Sequence, residues 1–457
     1  MINSMANTFS GGIKLNDGKE LSKDAPITTI LPGPEMVYPL LQHIGNPSVP
    51  VVREGDHVLM GQKIAEADGD LSAHLHASVS GKVLGIENRL TADGQAVPSI
   101  IIANDRRYLE IFYPENRKLR YTSRQTMLHA IREAGIVGLG GSGLPTYFKL
   151  LGANTRRIDY CIANLVECEP YLTSDYRRIL ETPEKIVNGL RIMLTMFPRA
   201  RGILAVSDSN QEGYRALKEC TRQDERIYVR RLHDKYPQGS ERQLIYALTG
   251  RTLNAKMLPY EIGSIVNNTD TLAAINQAVI THEPLITKII TVSGDAVREP
   301  ANFRVRIGMS YREVLEAAGG LKPGLRPEEC VYLDGGPMMG HRIDPGLDIP
   351  VTKLSSGIIV LTRKSMQASD PSACMRCGRC VEVCPNNLVP MQLFKDTEKG
   401  NEHAFIRHNG LECCDCGTCS YICPARINLS SSIVQMKNQI LHDPDLAGDY
   451  ARRYVRS

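Results

Sequence analysis

The chain has 457 residues, 42% of them hydrophobic and 23% charged, with 54 basic against 50 acidic side chains. This is material for several buried cores, about three domains at roughly 150 residues each. The small net charge of +4 argues against nucleic-acid binding and against a strongly basic membrane patch. Trp is absent and Phe scarce, so no aromatic platform for stacking bases is expected. No stretch approaches the ~18 apolar residues of a spanning helix, and MINSMANTFSGG lacks the apolar segment of a signal peptide. The expectation is a cytoplasmic chain whose membrane association is peripheral, through partners. Thirteen cysteines in such a chain point to metal binding rather than disulfides.

The first ~110 residues read as β-rich, with VVREGDHVLMGQKIAEA (51–67) and ASVSGKVLGI (77–86) alternating between glycine turns. The pattern V-x-x-G-D-x-V-x-x-G-Q-x-I resembles the barrel-sandwich hybrid of biotinyl and lipoyl carrier domains. The stretch DGDLSAHLHAS stands where those domains carry a modifiable Lys and has none, which predicts a structural sandwich without a swinging arm. His74 and His76 alternate on a predicted strand and are expected to face solvent.

From about 120 to 285 the pattern becomes α/β. TSRQTMLHAIREAGI (122–136), PEKIVNGLRIMLTMF (183–197) and SNQEGYRALKEC (209–220) have helical spacing, while YCIANLV (160–166) and GILAVS (202–207) read as buried parallel strands. GIVGLGGSGLPTYFKL (135–150) holds G-x-G-x-x-G at Gly138, Gly140 and Gly143, where missing Cβ atoms let backbone N–H groups approach a phosphate. Glu167 and Glu169 follow a strand, where carboxylates can meet ribose or flavin; an ordinary solvated loop reads equally well. SIVNNTDTL (264–272) offers paired amides for a flavin or phosphate, or simply a capped helix start. From about 286 to 365 the chain is β-rich again. TKIITVSGDAV and FRVRIGMS are strand-like, YREVLEAAGG is a short helix ending in glycines, and GGPMMG (335–340) is a turn-rich loop.

Nine of the cysteines lie between Cys374 and Cys423. Cys374, Cys377, Cys380 and Cys384 precede Pro385; Cys413, Cys416, Cys419 and Cys423 precede Pro424. Both quartets fit C-x2-C-x2-C-x3-C-P. Three thiolates of a [4Fe–4S] cube come from one tight loop and the fourth from farther away, so each last Cys ligates the other cluster. One cluster is therefore assigned Cys374, Cys377, Cys380 and Cys423, the second Cys413, Cys416, Cys419 and Cys384. Zinc knuckles, the alternative, use C-x2-C pairs, often with His. Cys414 reads as a bystander.

GLGGSGLPTYFK and NLVECEP (164–170) resemble the glycine-rich loop and the Asn-x-x-Glu-x-Glu-Pro segment of the flavin- and NADH-binding subunit family of respiratory complex I. YPQGSERQL (236–244), VNNTDTL and SGDAVREPANFRVRIGMS are similar to later segments of that family. The opening TFSGGIKLNDGKELSKDAPI, the barrel-sandwich segment, GGPMMG and the double ferredoxin region look more like the C subunits of Rnf electron-transport complexes, over residues 8–440.

The resemblance implies a multidomain α/β plus β fold. Its parts are a barrel-sandwich hybrid (1–115), a Rossmann-like FMN/NAD(H)-binding domain (116–285), a β-grasp SLBB-like domain (286–365), an α-helical double [4Fe–4S] ferredoxin domain (366–440) and an exposed tail (441–457). It implies two [4Fe–4S] clusters, FMN, and NAD(H) as substrate. By the same resemblance Gly138, Gly140, Gly141, Gly143, Lys149, Asn164, Glu167, Glu169, Tyr236, Glu241, Asn267 and Asn268 surround FMN and NAD(H). Ser240 and Leu144 depart from the complex I pattern, where a second Glu and an aromatic residue stand.

The function so implied is a peripheral subunit on the cytoplasmic face of a membrane complex. It would move electrons between NAD(H) and ferredoxin, coupled to Na⁺ or H⁺ translocation by partner subunits, among them a ferredoxin-like iron–sulfur subunit. Flavin would convert between the hydride and single electrons, with no side chain needed as acid or base. Two alternatives stay open: a soluble flavin and iron–sulfur reductase such as a cobalamin reductase, and a non-catalytic cluster relay.

Overall fold

The computed structural model describes residues 7–366, 370–443 and 446. Most of the tail expected over 441–457 lies outside them. Within them, helix Leu429–His442 carries the last domain past residue 440, and Leu446 packs on its core.

Two small antiparallel sheets open the chain. One joins Glu35–Pro39, Ala96–Asn104, Gly81–Leu90 and His57–Val58; the other joins Val49–Pro50, Lys63–Glu66 and Leu75–His76. Their alternating apolar residues, including Met36, Tyr38, Ile64, Leu75, Val83, Ile100 and Ile102, face inward and are fully or almost fully buried. Residues 71–80 are all buried, so the hairpin that swings free in carrier domains is here a packed element.

That packing corrects the expectation for His74 and His76, which are buried rather than solvent-facing. The buried ammonium of Lys353 donates to the carbonyls of His74 (2.6 Å) and Gly135 (2.7 Å), closing the hairpin under two other domains. Burial, with Lys353 nearby, holds His43 near a pKa of about 4; burial and Lys63 hold His74 near about 4, and His76 is pushed well below its usual value.

His43 Nδ1 lies 3.2 Å from the Ile44 carbonyl, and Nε2 accepts the Ala73 amide at 3.2 Å, so the neutral ring is the one that fits. Stability held by this neutral ring is present above pH ~6.5 and is lost as pH falls towards 4, about 2 kcal/mol by pH 5. Far-UV circular dichroism melts at pH 7 and pH 5 should show His43→Gln losing less on acidification than the parent. Equal losses would contradict the assignment.

Residues 7–30, counted with the N-terminal unit in sequence, run elsewhere. Gly12 N donates to the Val383 carbonyl (2.9 Å), and Ile13 exchanges backbone hydrogen bonds with Tyr236. Ile27–Thr29 pairs with Ala301–Arg306 at the edge of the third domain's sheet. That mixed sheet continues through Thr287–Ser293, Gly357–Thr362, Cys330–Asp334 and His341–Ile343. Helix Tyr311–Ala317 packs with it, its start fixed by Ser310 and Glu313 in a reciprocal cap.

Between these lies a four-stranded parallel sheet in the order Ile227–Leu232, Arg201–Ser207, Tyr160–Leu165, Ser264–Asn268. Its two central strands are mainly apolar and buried because both faces are covered. Helices Pro183–Met196 and Thr269–Asn276 join the core on one side, and Glu241–Thr249 joins that on the other. The first two helices approach closely at Gly189, where an added Cβ would sit 2.1 Å from the Leu272 carbonyl oxygen.

The glycine loop departs from the dinucleotide fingerprint in one respect. It follows helix Arg124–Glu133 and precedes the first strand of this sheet, rather than leaving a strand. The C-terminal domain is helical around Leu393, Phe405, Leu411, Leu429, Ile433 and Ile440.

Candidate functional site: a carboxyl-edge cleft beside a cysteine cavity

The residues singled out over 138–268 gather at one place because the sheet is parallel. Asn164, Glu167 and Glu169 follow or end strand Tyr160–Leu165. Asn267 and Asn268 end strand Ser264–Asn268, and Tyr236 follows strand Ile227–Leu232. In open parallel sheets ligands bind outside these carboxyl ends.

The glycine loop folds back on itself, with Gly138 N donating to the Leu144 carbonyl and Gly143 N to that of Gly138. Leu139 is pinned from both sides: its amide donates to Thr271 Oγ1 (3.0 Å) and its carbonyl accepts from Lys288 Nζ (3.1 Å). The amides of Gly140, Gly141 and Ser142 project at the exposed tip and donate to no described protein acceptor. Three such donors make an anion site. Gly140 lies against Asn268, whose side chain would be 3.1–3.2 Å from an added Cβ.

Asn268 itself caps helix Thr269–Asn276 by accepting from Thr271 N (3.2 Å), as one reading of SIVNNTDTL had it. Lys149 Nζ donates to the Val266 carbonyl (2.7 Å) and to Asn267 Oδ1 (2.5 Å); burial brings its pKa down to about 8, with Glu241 opposing. Asn164 Nδ2 donates to the Gly239 carbonyl (2.8 Å).

The two glutamates are held rather than loose. Glu167 accepts the amides of Asp175 (2.9 Å) and Tyr176 (3.2 Å) at the start of helix Ser174–Glu181. Glu169 Oε1 accepts the amides of Met338 (2.7 Å) and Met339 (3.1 Å) from loop 335–340. Burial raises the Glu169 pKa, and those two amides act against the rise. Burial likewise raises that of Tyr236.

Sequence reasoning passed over Gln238, a fully buried side chain whose amide nitrogen and oxygen have no partner among the described residues. Buried amides are normally satisfied, so Gln238 fits a group bound beside it. Its only signal in the sequence was its place inside YPQGSE. These free donors, the glycine tip and the orphaned amide fit a phosphorylated flavin.

The cysteines separate by environment. Cys374 and Cys377 are exposed, while Cys384, Cys416 and Cys419 are buried. One cavity is lined by five cysteines: Cys384, the last of the first quartet, Cys413, Cys416 and Cys419 of the second, and Cys414. Burial raises the pKa of Cys380, and Cys423 and Cys377 both act electrostatically to raise it further. The cavity brings the last thiol of the first quartet to three thiols of the second, while among the described residues no group of three His, Cys, Asp or Glu side chains converges closely enough to hold a single metal ion.

The cluster domain is clamped to the parallel-sheet domain. Arg242 pairs with Glu412 (2.8 Å), Ala255 N donates to the same carboxylate (2.8 Å), and Gln243 Nε2 donates to Asn386 Oδ1 (2.7 Å). Cys416 packs with Tyr236 and Ile13, and around them lie Cys168, Met338 and Cys414.

Four families match successive parts of the chain. They are described as RnfC barrel sandwich hybrid domain (residues 7–107), Nuo51 FMN-binding domain (131–277), SLBB domain (289–341) and 4Fe-4S dicluster domain (373–427). The chain is 38% identical over 444 residues to the C subunit of the Na(+)-translocating ferredoxin:NAD(+) oxidoreductase complex of Acetobacterium woodii, covering 96% of this chain and 98% of that protein. It is 39% identical over 392 residues to the proton-translocating counterpart of Clostridium ljungdahlii, covering 85% and 84%. Among solved structures, an NAD+-reducing [NiFe]-hydrogenase in the H2-reduced state aligns at TM-score 0.48 and 18% identity, over 77% of this chain and 69% of that one.

Proposed function

Because the chain belongs to the family of C subunits of ion-translocating ferredoxin:NAD(+) oxidoreductase complexes, we propose that it carries electrons between NAD(H) and the ferredoxin side of such a complex, through FMN and two [4Fe–4S] clusters. The observation that carries this reading is continuity. Tyr236, beside the carboxyl-edge cleft, packs directly on Cys416, one of the five cysteines lining the cavity.

FMN, when bound, supplies the exchange between a two-electron hydride and one-electron carriers. The chain's own residues bind and orient. The amides of Gly140, Gly141 and Ser142 take the phosphate, within the turn that Gly138 and Gly143 close. Lys149 sets a positive charge against the cleft, held in place by Val266 and Asn267. Asn164, Asn267, Asn268, Gln238 and Glu241 supply polar contacts. Glu167 and Glu169 fix the acidic segment. Cys374, Cys377, Cys380 and Cys423 hold one cluster; Cys384, Cys413, Cys416 and Cys419 hold the other.

No helix among the described residues is long and apolar enough to cross a membrane. The reading offered by the family is that the ion pathway belongs to partner subunits and that this chain sits on the cytoplasmic face. The exposed thiols Cys374 and Cys377 put the first cluster within reach of a ferredoxin-like iron–sulfur partner.

NADH added anaerobically to reconstituted protein should bleach flavin absorbance and then cluster absorbance. A silent spectrum would reduce the chain to a relay. Lys149→Ala should bind FMN about tenfold more weakly or worse, since a charge-assisted contact contributes about 1.5–3 kcal/mol. Flavin released on filtration measures this, and an unchanged FMN content would remove Lys149 from the site.

A further inference from the structure

The loop GGPMMG belongs to the SLBB-like domain, where Gly335 N donates to the Gly357 carbonyl (2.8 Å), yet it also reaches two other domains. On one side the amides of Met338 and Met339 both donate to Glu169 Oε1, so two backbone donors converge on one carboxylate oxygen beside the cleft. On the other side the carbonyl of Met338 faces the second cluster loop: an added Cβ on Gly417 would sit 3.0 Å from that oxygen. The Met338 side chain packs in the cluster formed by Tyr236, Cys416 and Ile13, with Cys168 and Cys414 at its edge.

The loop's own glycines make this possible. Gly336 lies against Glu169, with an added Cβ 2.1 Å from Glu169 Cγ, and Gly335 has a φ of +82°. Side chains at either place would push the loop off the carboxylate or strain its backbone.

We infer that loop 335–340 is a positioning clip, which ties the Glu169 segment of the flavin cleft to the second cluster loop and fills the gap between them with the Met338 side chain. This rests on the electron-transfer reading above and extends it to a part of the chain that neither the cofactor motifs nor the thiolates account for. The adaptable thioether fills an irregular space and keeps water out of it. Cys168 and Cys414, surplus to the two quartets, add apolar sulfur to the same patch. With the cofactors bound, each transfer across the gap would take one electron from reduced flavin to the second cluster, which would pass it to the first cluster before accepting the next. Two transfers restore oxidised flavin, and its single proton leaves to water.

Met338→Ala and its conservative counterpart Met338→Leu test the inference in full-length, reconstituted protein. Stopped-flow mixing with NADH should show flavin bleaching at the parent rate in both. The later cluster bleaching should slow on the order of tenfold in Met338→Ala, because a misplacement of about 1 Å is enough for such losses. Met338→Leu should restore it to within about twofold. Cluster bleaching at the parent rate in Met338→Ala would overturn the inference.

A second readout needs no turnover. In Gly336→Val, amide hydrogen exchange should rise at Met338 and Met339 and over residues 413–419, with the helical core around Phe405 unchanged. Unchanged exchange at those amides would overturn the clip. Failure of NADH to bleach flavin in the parent would instead count against the functional reading, and the exchange experiment would still decide on the clip.

Discussion

Cys384→Ser is expected to halve the iron of the protein, from about eight to about four atoms per chain, and to remove the second cluster rather than the first. Cys384 belongs by sequence to the first quartet. In the folded chain it lines one cavity with Cys413, Cys416 and Cys419 of the second quartet and with Cys414, is buried, and accepts the Leu388 amide at its sulfur (3.3 Å). Cys423, the last thiol of the second quartet, is not among the residues lining that cavity and acts electrostatically on Cys380.

Double variants make the pairing explicit. If ligation is crosswise, Cys384→Ser combined with Cys416→Ser strikes one cluster twice and still leaves about four irons. Cys384→Ser with Cys423→Ser strikes both clusters and leaves none. Ligation within each quartet would give the same loss from the two pairs. Iron and acid-labile sulfide analysis of anaerobically purified protein reads the outcome directly.

Asp270→Ala should destabilise the protein by about 3–5 kcal/mol, lowering the melting temperature by about 10 °C. Asp270 pairs with Arg178 Nε (2.6 Å) and Lys288 Nζ (3.2 Å), and all three side chains are buried. Removing the carboxylate leaves two cations in the core with no counter-charge, which costs far more than the pair itself contributes. Burial works against the charged form of Asp270, but Arg178 and then Lys288 bring its pKa below the usual carboxylate value. The stability it holds is therefore present above pH ~4 and lost as pH falls through the lower folded value. Neighbouring Asp175 is shifted well upward by burial, with Glu167 and Asp270 itself adding to the rise.

The effect reaches the cleft, because Lys288 also holds the Leu139 carbonyl of the glycine loop. FMN content should fall with the melting temperature. A far-UV circular dichroism melt within a degree or two of the parent would refute the role given to this triad.

Some of this was readable in the residues themselves. The cysteine quartets announce their chemistry because ligand geometry demands a fixed local spacing, and the crosswise partner follows from how few thiols a tight loop can present. Strands such as YCIANLV and helices such as PEKIVNGLRIMLTMF follow from apolar periodicity, a local property. Burial does not follow in this way. His74 and His76 alternate as a half-exposed strand would, yet Lys353 and Gly135, both distant in sequence, close over them.

GGPMMG reads as a loop for the same reason. Its turn residues are local signals, while its acceptor, Glu169, stands 169 residues from Met338. Likewise Asp270 sits inside a motif that suggests a cofactor contact, and only the arrival of Arg178 and Lys288 makes it a structural anchor. Composition, spacing and periodicity determined what each segment of this chain can bind or form. Which segments share a cavity, which charges lose their water and which loop reaches from Glu169 to the second cysteine loop were decided by packing between domains, because those energies depend on neighbours that no stretch of sequence carries with it.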